Sequence, residues 1–278
     1  MNNIDPNTVD SFGDEWKRFN QSPVSDNESE KNFNDYFKIF PWDSINSDSV
    51  GFDMGCGSGR WAKFVAPKVG HLNCIDPSDA ILVAKKNLEK YKNISFIVGS
   101  VSNDVLNANS QDFGYSLGVL HHVPDTLKAV KSCVELLKPG APLLIYLYYS
   151  FDNRSTMYKA TWLMSNILRK IISRLPSQIK NIVTDLIALI VYLPLAKLSR
   201  MIEFFGVSSY SIPLSYYRNH SFYTMRTDSR DRFGTPLERR FSKEEINNMM
   251  TESGLEDIKF SNHQPFWCAV GFKINDRL

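Results

Sequence analysis

Between residues 50 and 149, short apolar runs alternate with amphipathic helical stretches, and this rhythm restricts the fold more than any other feature of the chain. The runs are SVGFDM, HLNCID, NISFIV, DFGYSLGVL and APLLIYLYY. They are short and apolar, and Gly, Pro, Asn and Asp cluster at their ends, so they read as buried strands. Between them, Gly59–Val65 (ended by Pro67), a stretch from about Ser78 to Lys90, and DTLKAVKSCVELLKPG read as helices, with Ser78 as a plausible N-cap. Strands and helices joined by short connections imply a parallel sheet covered on both faces.

The rhythm breaks at residue 150 and resumes at about 241. In FSKEEINNMMTESG, Ser242 and Glu245 have the spacing of a capping box and Gly254 stops the helix; LEDIKF and FWCAVGFKI then supply two last strands. Residues 50–149 and 241–278 therefore form one α/β core, and 150–240 is an insertion after the fifth strand. TMYKATWLMSNILRKIISRL and IKNIVTDLIALIVYLPLAKLSRMIEFF in that insertion read as helices, followed by a polar, aromatic and arginine-rich stretch. Residues 1–49 form an arm in which Phe12, Trp16, Phe19, Phe33, Tyr36 and Phe37 recur mostly at three- and four-residue intervals. That spacing suggests two short amphipathic helices separated by the polar spacer QSPVSDNESEKN.

Composition excludes several classes. The four cysteines (Cys56, Cys74, Cys133, Cys268) are far apart and form no C-x-x-C or Cys/His cluster, so neither a disulfide framework nor a metal site is expected. MNNIDPNTVDSF lacks a basic segment followed by an apolar core, which makes the cytoplasm the expected location. Residues 1–50 carry four Lys/Arg against ten Asp/Glu, and the remainder carries the compensating positive charge without one concentrated basic face. Nucleic acid is therefore not an expected partner, whereas an anionic small molecule or membrane surface is compatible.

VGFDMGCGSGRW places Gly55, Gly57 and Gly59 directly after a strand. A phosphate-binding P-loop would need Lys-Ser/Thr where Arg60-Trp61 stand. A dinucleotide site would need a third small residue at the position of Arg60. Asp76, closing the second strand, is placed as in nucleotide-binding α/β folds to accept from both ribose hydroxyls.

VGFDMGCGSGRWA, LNCIDPS, DFGYSLGVLHHVPD and LLKPGAPLLIYLYY, in this order and spacing, resemble the successive motifs of class I S-adenosylmethionine-dependent methyltransferases. The resemblance is closest to the small-molecule group with a G-x-L-H-H element. It implies a Rossmann-like, doubly wound, mostly parallel seven-stranded sheet with an antiparallel final strand. It also implies S-adenosylmethionine as cofactor: Asp53, Gly55, Cys56, Gly57 and Gly59 at its amino-acid end, Asp76 at the ribose, and Pro77 or Ser78 beside the adenine. Ser100 stands where the family often has an acidic residue, so the adenine contact falls to its hydroxyl or to the Val101 N–H. Leu117 and Gly118 would line the methionine portion, and Phe12, Trp16 and Phe19 would close over the cofactor.

Methyl transfer from a sulfonium needs alignment and water exclusion above all, and needs a base only when the acceptor holds its proton. His121 and His122, beyond the fourth strand, are placed to be that base or to shape the site. Ligands of open α/β sheets sit outside the carboxyl ends of the strands, so the insertion should build the acceptor pocket. Its candidates are Tyr216, Tyr217, Arg218, His220, Tyr223, Arg226 and Arg232, with arginine suited to a carboxylate or phosphate.

Leu186–Ala196 is uncharged, but at eleven residues it is shorter than the about 20 needed to span a bilayer. The basic, apolar segment 154–205 reads as a lid core, a homodimer interface or a peripheral membrane contact. The leading expectation is methylation of a small polar or anionic acceptor, such as a sugar, glycan precursor or specialised metabolite. The alternatives are methylation of a quinone or lipid-linked acceptor at a membrane, and a non-catalytic binding role.

Overall fold

A computed structural model of the chain describes residues 3–101, 105–209 and 212–275. Residues 210–211 of the expected insertion and 276–278 of the expected core lie outside the described residues. The chain divides into two compact units. The first comprises residues 1–20, 29–152 and 237–278, and the second 21–28 and 153–236. The second unit takes in 153–236 of the inserted stretch together with 21–28 of the amino-terminal arm.

The first unit is built on a seven-stranded sheet: β1 (Val50–Met54), β2 (His71–Asp76), β3 (Ile94–Val98), β4 (Phe113–Leu117), β5 (Pro142–Tyr146), β6 (Leu255–Phe260) and β7 (Cys268–Lys273). The spatial order is β3-β2-β1-β4-β5-β7-β6, with β7 antiparallel to both of its neighbours. Chain direction therefore puts the carboxyl ends of β1 to β5 on one rim. The helices are α1 (Pro6–Arg18), α2 (Asp26–Tyr36), α3 (Ala62–Val65), α4 (Ala80–Asn87), α5 (Thr126–Leu136) and, after the insertion, α10 (Lys243–Glu252).

Strand alternation sorts the core into two layers. Phe52, Met54, Leu143 and Ile145 pack with Val130, Val134, Ile246 and Met250 from α5 and α10. Leu72, Cys74, Tyr115 and Leu144 pack on the other face with Ala62, Ile81 and Ala84 of α3 and α4, and with Phe33, Phe37 and Phe40 of the arm. The capping box of Ser242 and Glu245 starts α10, and Gly254 (φ +87°) follows it, as the sequence implies. Three expected boundaries move. The helix expected from Gly59 begins at Ala62, because Gly57 and Gly59 hold positive φ. The helix expected from Ser78 runs Ala80–Asn87, with Asp79 at its N-cap and the Ser78 hydroxyl accepting from the Ala80 N–H. Finally, α2 begins at Asp26, inside the expected spacer.

The second unit holds α6 (Thr156–Ile172), α7 (Ser177–Ile187), α8 (Leu193–Phe204) and α9 (Phe222–Gly234). A π turn at Ala188–Tyr192 joins α7 to α8, so Pro194 falls just after a change of helical register and does not end the helix. The sequence reading left α9 as irregular structure. Ser221 caps it by accepting from the Thr224 N–H, and the helix buries Thr227, Ser229 and Arg230 together with Met225 and Phe233.

At the centre of the sheet, Gly51 pairs with Phe113 and Phe52 with Gly114 across β1 and β4. Each phenylalanine ring covers the glycine opposite: a Cβ on Gly51 would lie 2.3 Å from the Phe113 ring, and one on Gly114 2.2 Å from the Phe52 ring. A one-residue slip would turn both rings to the wrong face, so this exchange fixes the register. Gly114→Ala should destabilise the protein by about 1–3 kcal/mol in urea unfolding through overpacking. Adding Phe52→Leu should recover part of that loss, a coupling that two independent sites would not show.

Candidate active site

The site is assembled on the rim formed by the carboxyl ends of the parallel strands. From β1 the chain enters the glycine turn, where Gly55 (φ +79°), Gly57 (φ +53°) and Gly59 (φ +77°) adopt backbone that L side chains rarely hold. The Gly55 and Cys56 N–H groups donate to the Ile75 carbonyl, which ties the turn to β2. Asp76 strengthens that tie. One carboxylate oxygen accepts from the Gly57 N–H (2.9 Å), and the other from the Ser78 N–H (2.9 Å) and hydroxyl (2.6 Å). Burial lifts the Asp76 carboxyl above the ordinary range, and the hydrogen bonds from Ser78 and Gly57 oppose that rise.

Asp53 lies below the turn, opposite Cys74 of β2 and Tyr115 of β4. It is buried, and its Oδ2 has no hydrogen-bond partner. Burial pushes its carboxyl up to about 8, with the Tyr115 hydroxyl pulling the other way and Asp76 adding to the rise. Cys56 is a buried thiol beside Cys74; its pKa is held well above the ordinary value first by the hydrogen bond to Cys74 and then by burial.

Helix α1 lies over this rim. Gly13 brings it against the turn after β2: a Cβ there would sit 3.6 Å from the Asp79 nitrogen. Lys17 pairs with Asp79 at 2.7 Å. The Trp16 indole rests on Gly57, 3.1 Å from where a Cβ would stand, and the Arg60 guanidinium lies over the indole. Phe12 packs edge-on against His122 at 4.9 Å, and Phe19 is buried. Of the three arm aromatics expected to close the site, Trp16 touches the glycine turn and Phe12 the His122 ring.

At the end of β4, Leu117 is buried, and a Cβ on Gly118 (φ +80°) would meet nothing within 4 Å. A Cβ on Gly55 would strike the Val119 side chain that follows Gly118. His121 is fully buried between His122 and Tyr148, with ring centroids 3.9 Å away on both sides. Neither of its ring nitrogens has a hydrogen-bond partner. Burial, then His122 and Arg240, drive its pKa well below the ordinary value, so the imidazole is neutral. His122 Nδ1 lies 2.6 Å from the Leu237 carbonyl; a carbonyl only accepts, so Nδ1 carries the proton. Beyond β3, Ser100 is half-buried and Val101 packs into the core; the Gly99 N–H donates to the Asp76 carbonyl, which brings this segment beside the Asp76 turn.

The acceptor candidates of the insertion do not converge on one point. Arg218 forms a two-point ion pair with Glu203 (2.6 and 3.2 Å), and Arg226 another with Asp185 (3.1 and 2.8 Å). Arg232 donates to the Ser165 hydroxyl and lies over the Trp162 ring. Tyr217 packs on Tyr192, and its hydroxyl is raised far above its ordinary pKa by burial and then by Asp228. His220 stacks on Tyr216, and the Tyr223 hydroxyl accepts from the Gln21 N–H. Each has a structural role inside the second unit. Sequence reasoning missed Tyr115 as the neighbour of Asp53, and Tyr148 as the stacking partner of His121. Strand alternation could have found Tyr115, but nothing local points to Tyr148.

Residues 52–145 match a family model described as a methyltransferase domain. Over those residues the chain is similar to methyltransferases. A ubiquinone biosynthesis O-methyltransferase from Serratia proteamaculans is 31% identical over 121 residues, covering 42% of this chain and 47% of that one. Its namesake from Vibrio vulnificus is 29% identical over 164 residues, covering 55% and 65%. The chain spans about half the length of the first of these curated relatives. One chain of a methyltransferase–activator complex from Haloferax volcanii shares the fold at 15% identity and a TM-score of 0.52, over 96% of this chain and 99% of that one.

The residues fit S-adenosylmethionine. A partnerless buried carboxylate oxygen on Asp53 suits an ammonium, Gly118 leaves open space at the end of β4, and the glycine turn presents backbone rather than side chains. Asp53 yields a test in the cofactor-free protein. Its carboxyl keeps a proton to about pH 8 when folded, against 3.8 for an ordinary aspartate, so the native state binds the extra proton between those limits. Stability is therefore full below the lower value and falls as pH rises through the window. Asp53→Asn should gain stability relative to the parent from about pH 4 to pH 8 and hold a constant advantage above it, as read from urea midpoints at fixed ionic strength.

Proposed function

We propose that the chain transfers a methyl group from S-adenosylmethionine to a small acceptor, and that the acceptor is an amphiphilic phenol or a lipid-linked molecule. The observation that carries the first half is the pairing of the glycine turn with Asp53, whose Oδ2 is buried with no partner of its own. When bound, the cofactor supplies an activated methyl on a sulfonium. Gly55–Gly59 would hold its amino-acid end, Asp76 the ribose, and Ser100 or the Val101 N–H the adenine. Trp16 and α1 would exclude water from above, and exclusion matters because in-line transfer depends on alignment in a dry site.

Two observations move the acceptor away from the polar or anionic class expected first. The arginines that were to recognise an anion are engaged, Arg218 with Glu203 and Arg226 with Asp185. The curated relatives are named for ubiquinone biosynthesis and for methylation on oxygen. A phenolic oxygen must give up its proton as the methyl arrives. His121 is neutral with no hydrogen bond at either ring nitrogen, so it has a lone pair open to that proton, although burial makes it a weak base.

Isothermal titration should show S-adenosylmethionine binding, weakened at least about tenfold by Asp76→Asn, which loses ribose and Gly57 contacts together. Absence of binding to the parent protein would sink the reading. With labelled cofactor and whole-cell extract as acceptor source, the label should pass into the solvent-extractable fraction; label confined to the aqueous phase would restore the polar-acceptor reading. His121→Gln should lower kcat by on the order of a hundredfold or more while leaving cofactor affinity unchanged. A variant that lost both together would mark His121 as structural.

A further inference from the structure

The second unit keeps a small apolar core of Ile172, Tyr192, Ala196, Met225 and Phe233 and leaves many other apolar side chains of its long helices outside. Along α7 and α8 the buried positions include Lys180, Thr184 and Ser199, and on α6 Arg169 and Ser173 face inward. These groups are satisfied from within. Lys180 donates to the Gly234 carbonyl, Arg169 to the carbonyls of Thr235 and Pro236, and Arg226 pairs with Asp185. The outward positions are apolar. Met164 is 72% exposed on α6, Ile190 66% in the π turn and Phe204 85% at the end of α8. The helix Ser177–Phe204 is long and apolar enough to cross a membrane. A helix in water normally buries its apolar stripe against a core; here α6 and α7–α8 bury a few apolar residues together with Arg169, Lys180, Thr184 and Ser199, and leave Met164, Ile167, Leu186, Ile190 and Phe204 among the exposed apolar side chains. Exposed apolar area on this scale marks an interaction surface.

Charge selects what covers it. Residues 153–209 contain two acidic side chains, Asp185 and Glu203, and both are paired with arginines of the same unit. The exposed charges bordering the apolar stripes are basic: Lys159, Lys170, Arg174, Lys197 and Arg200. A second copy would set like charges against one another, whereas an anionic lipid surface complements both the charge and the apolar stripe. A helix with one polar, protein-facing side and one apolar side belongs in the interfacial plane rather than through the bilayer interior. We propose that the outer faces of α6 and α7–α8 seat the protein on an anionic lipid bilayer, with the isoleucine, leucine and phenylalanine side chains in the acyl boundary and the lysines and arginines at the headgroups. This inference stands on the second unit alone and is independent of the reading of the methyl-transfer site.

Vesicle flotation of the full-length protein tests it, comparing phosphatidylcholine vesicles with vesicles that also contain phosphatidylglycerol. The protein should float with the phosphatidylglycerol vesicles and be released by high salt. Leu186→Glu with Ile190→Glu, both at exposed positions, should reduce binding by on the order of tenfold or more without changing the thermal midpoint or cofactor titration. Lys170→Gln and Lys197→Gln should each reduce it about fivefold. Failure to float with the phosphatidylglycerol vesicles overturns the proposal. So does a dimer, seen by light scattering, that Ile190→Glu splits while the parent protein ignores both vesicles: a second copy would then be the occupant.

Discussion

The exchange of rings between β1 and β4 is the constraint on which the candidate site depends. Phe52 lies over Gly114 and Phe113 over Gly51, so the two central strands hold a single register. That register sets Asp53 beside Tyr115 and brings the glycine turn level with Gly118 and Val119 at the end of β4. A shift of one residue would send Asp53 to the opposite face and leave the turn without its neighbour. The bond from the Gly57 N–H to Asp76 performs the same service toward β2. Catalytic geometry here is a by-product of strand register, not of loop structure alone.

Much of this was legible in the sequence because parallel strands buried on both faces must be near-continuous apolar runs, and five of them announce themselves between residues 50 and 149. The glycine turn and Asp76 were readable because few residue types tolerate those backbone angles or that position. The partners of the site residues were less readable. Tyr148 meets His121 only because β5 lies beside β4, and α1 reaches the rim through Gly13 and Trp16 from far upstream. Contacts between distant segments leave no periodic signature.

The insertion was misjudged for a more instructive reason. An arginine-rich, aromatic segment beside apolar helices looks like a recognition surface for an anion, and the usual assumption is that apolar faces point inward. Here Arg169, Lys180 and Arg230 are buried beside Ile172, Tyr192, Met225 and Phe233, while Leu163, Ile167, Leu186 and Ile190 lie outside. Helical periodicity locates the two faces of an amphipathic helix but does not say which one meets the protein. The missed helix α9 shows the same effect: it is helical because Ser229, Arg226 and Arg230 bond to Thr184, Asp185 and Asn181, partners that an apolar pattern cannot reveal.

Asp53 shows what the rim is built to accept. A carboxyl raised to about 8 by burial is a protonated acid near neutral pH, and the fold bears that desolvation without returning a hydrogen bond to Oδ2. A cation brought beside it would favour the ionised form, so binding near neutral pH would be accompanied by proton release and would strengthen as pH rises toward the carboxyl's own value. A neutral or anionic ligand would instead meet the protonated carboxyl as a hydrogen-bond donor and would draw no proton from it. The electrostatics of one buried residue therefore favour a positively charged cofactor, a preference that the glycine turn alone does not express, since backbone N–H groups would equally suit a phosphate.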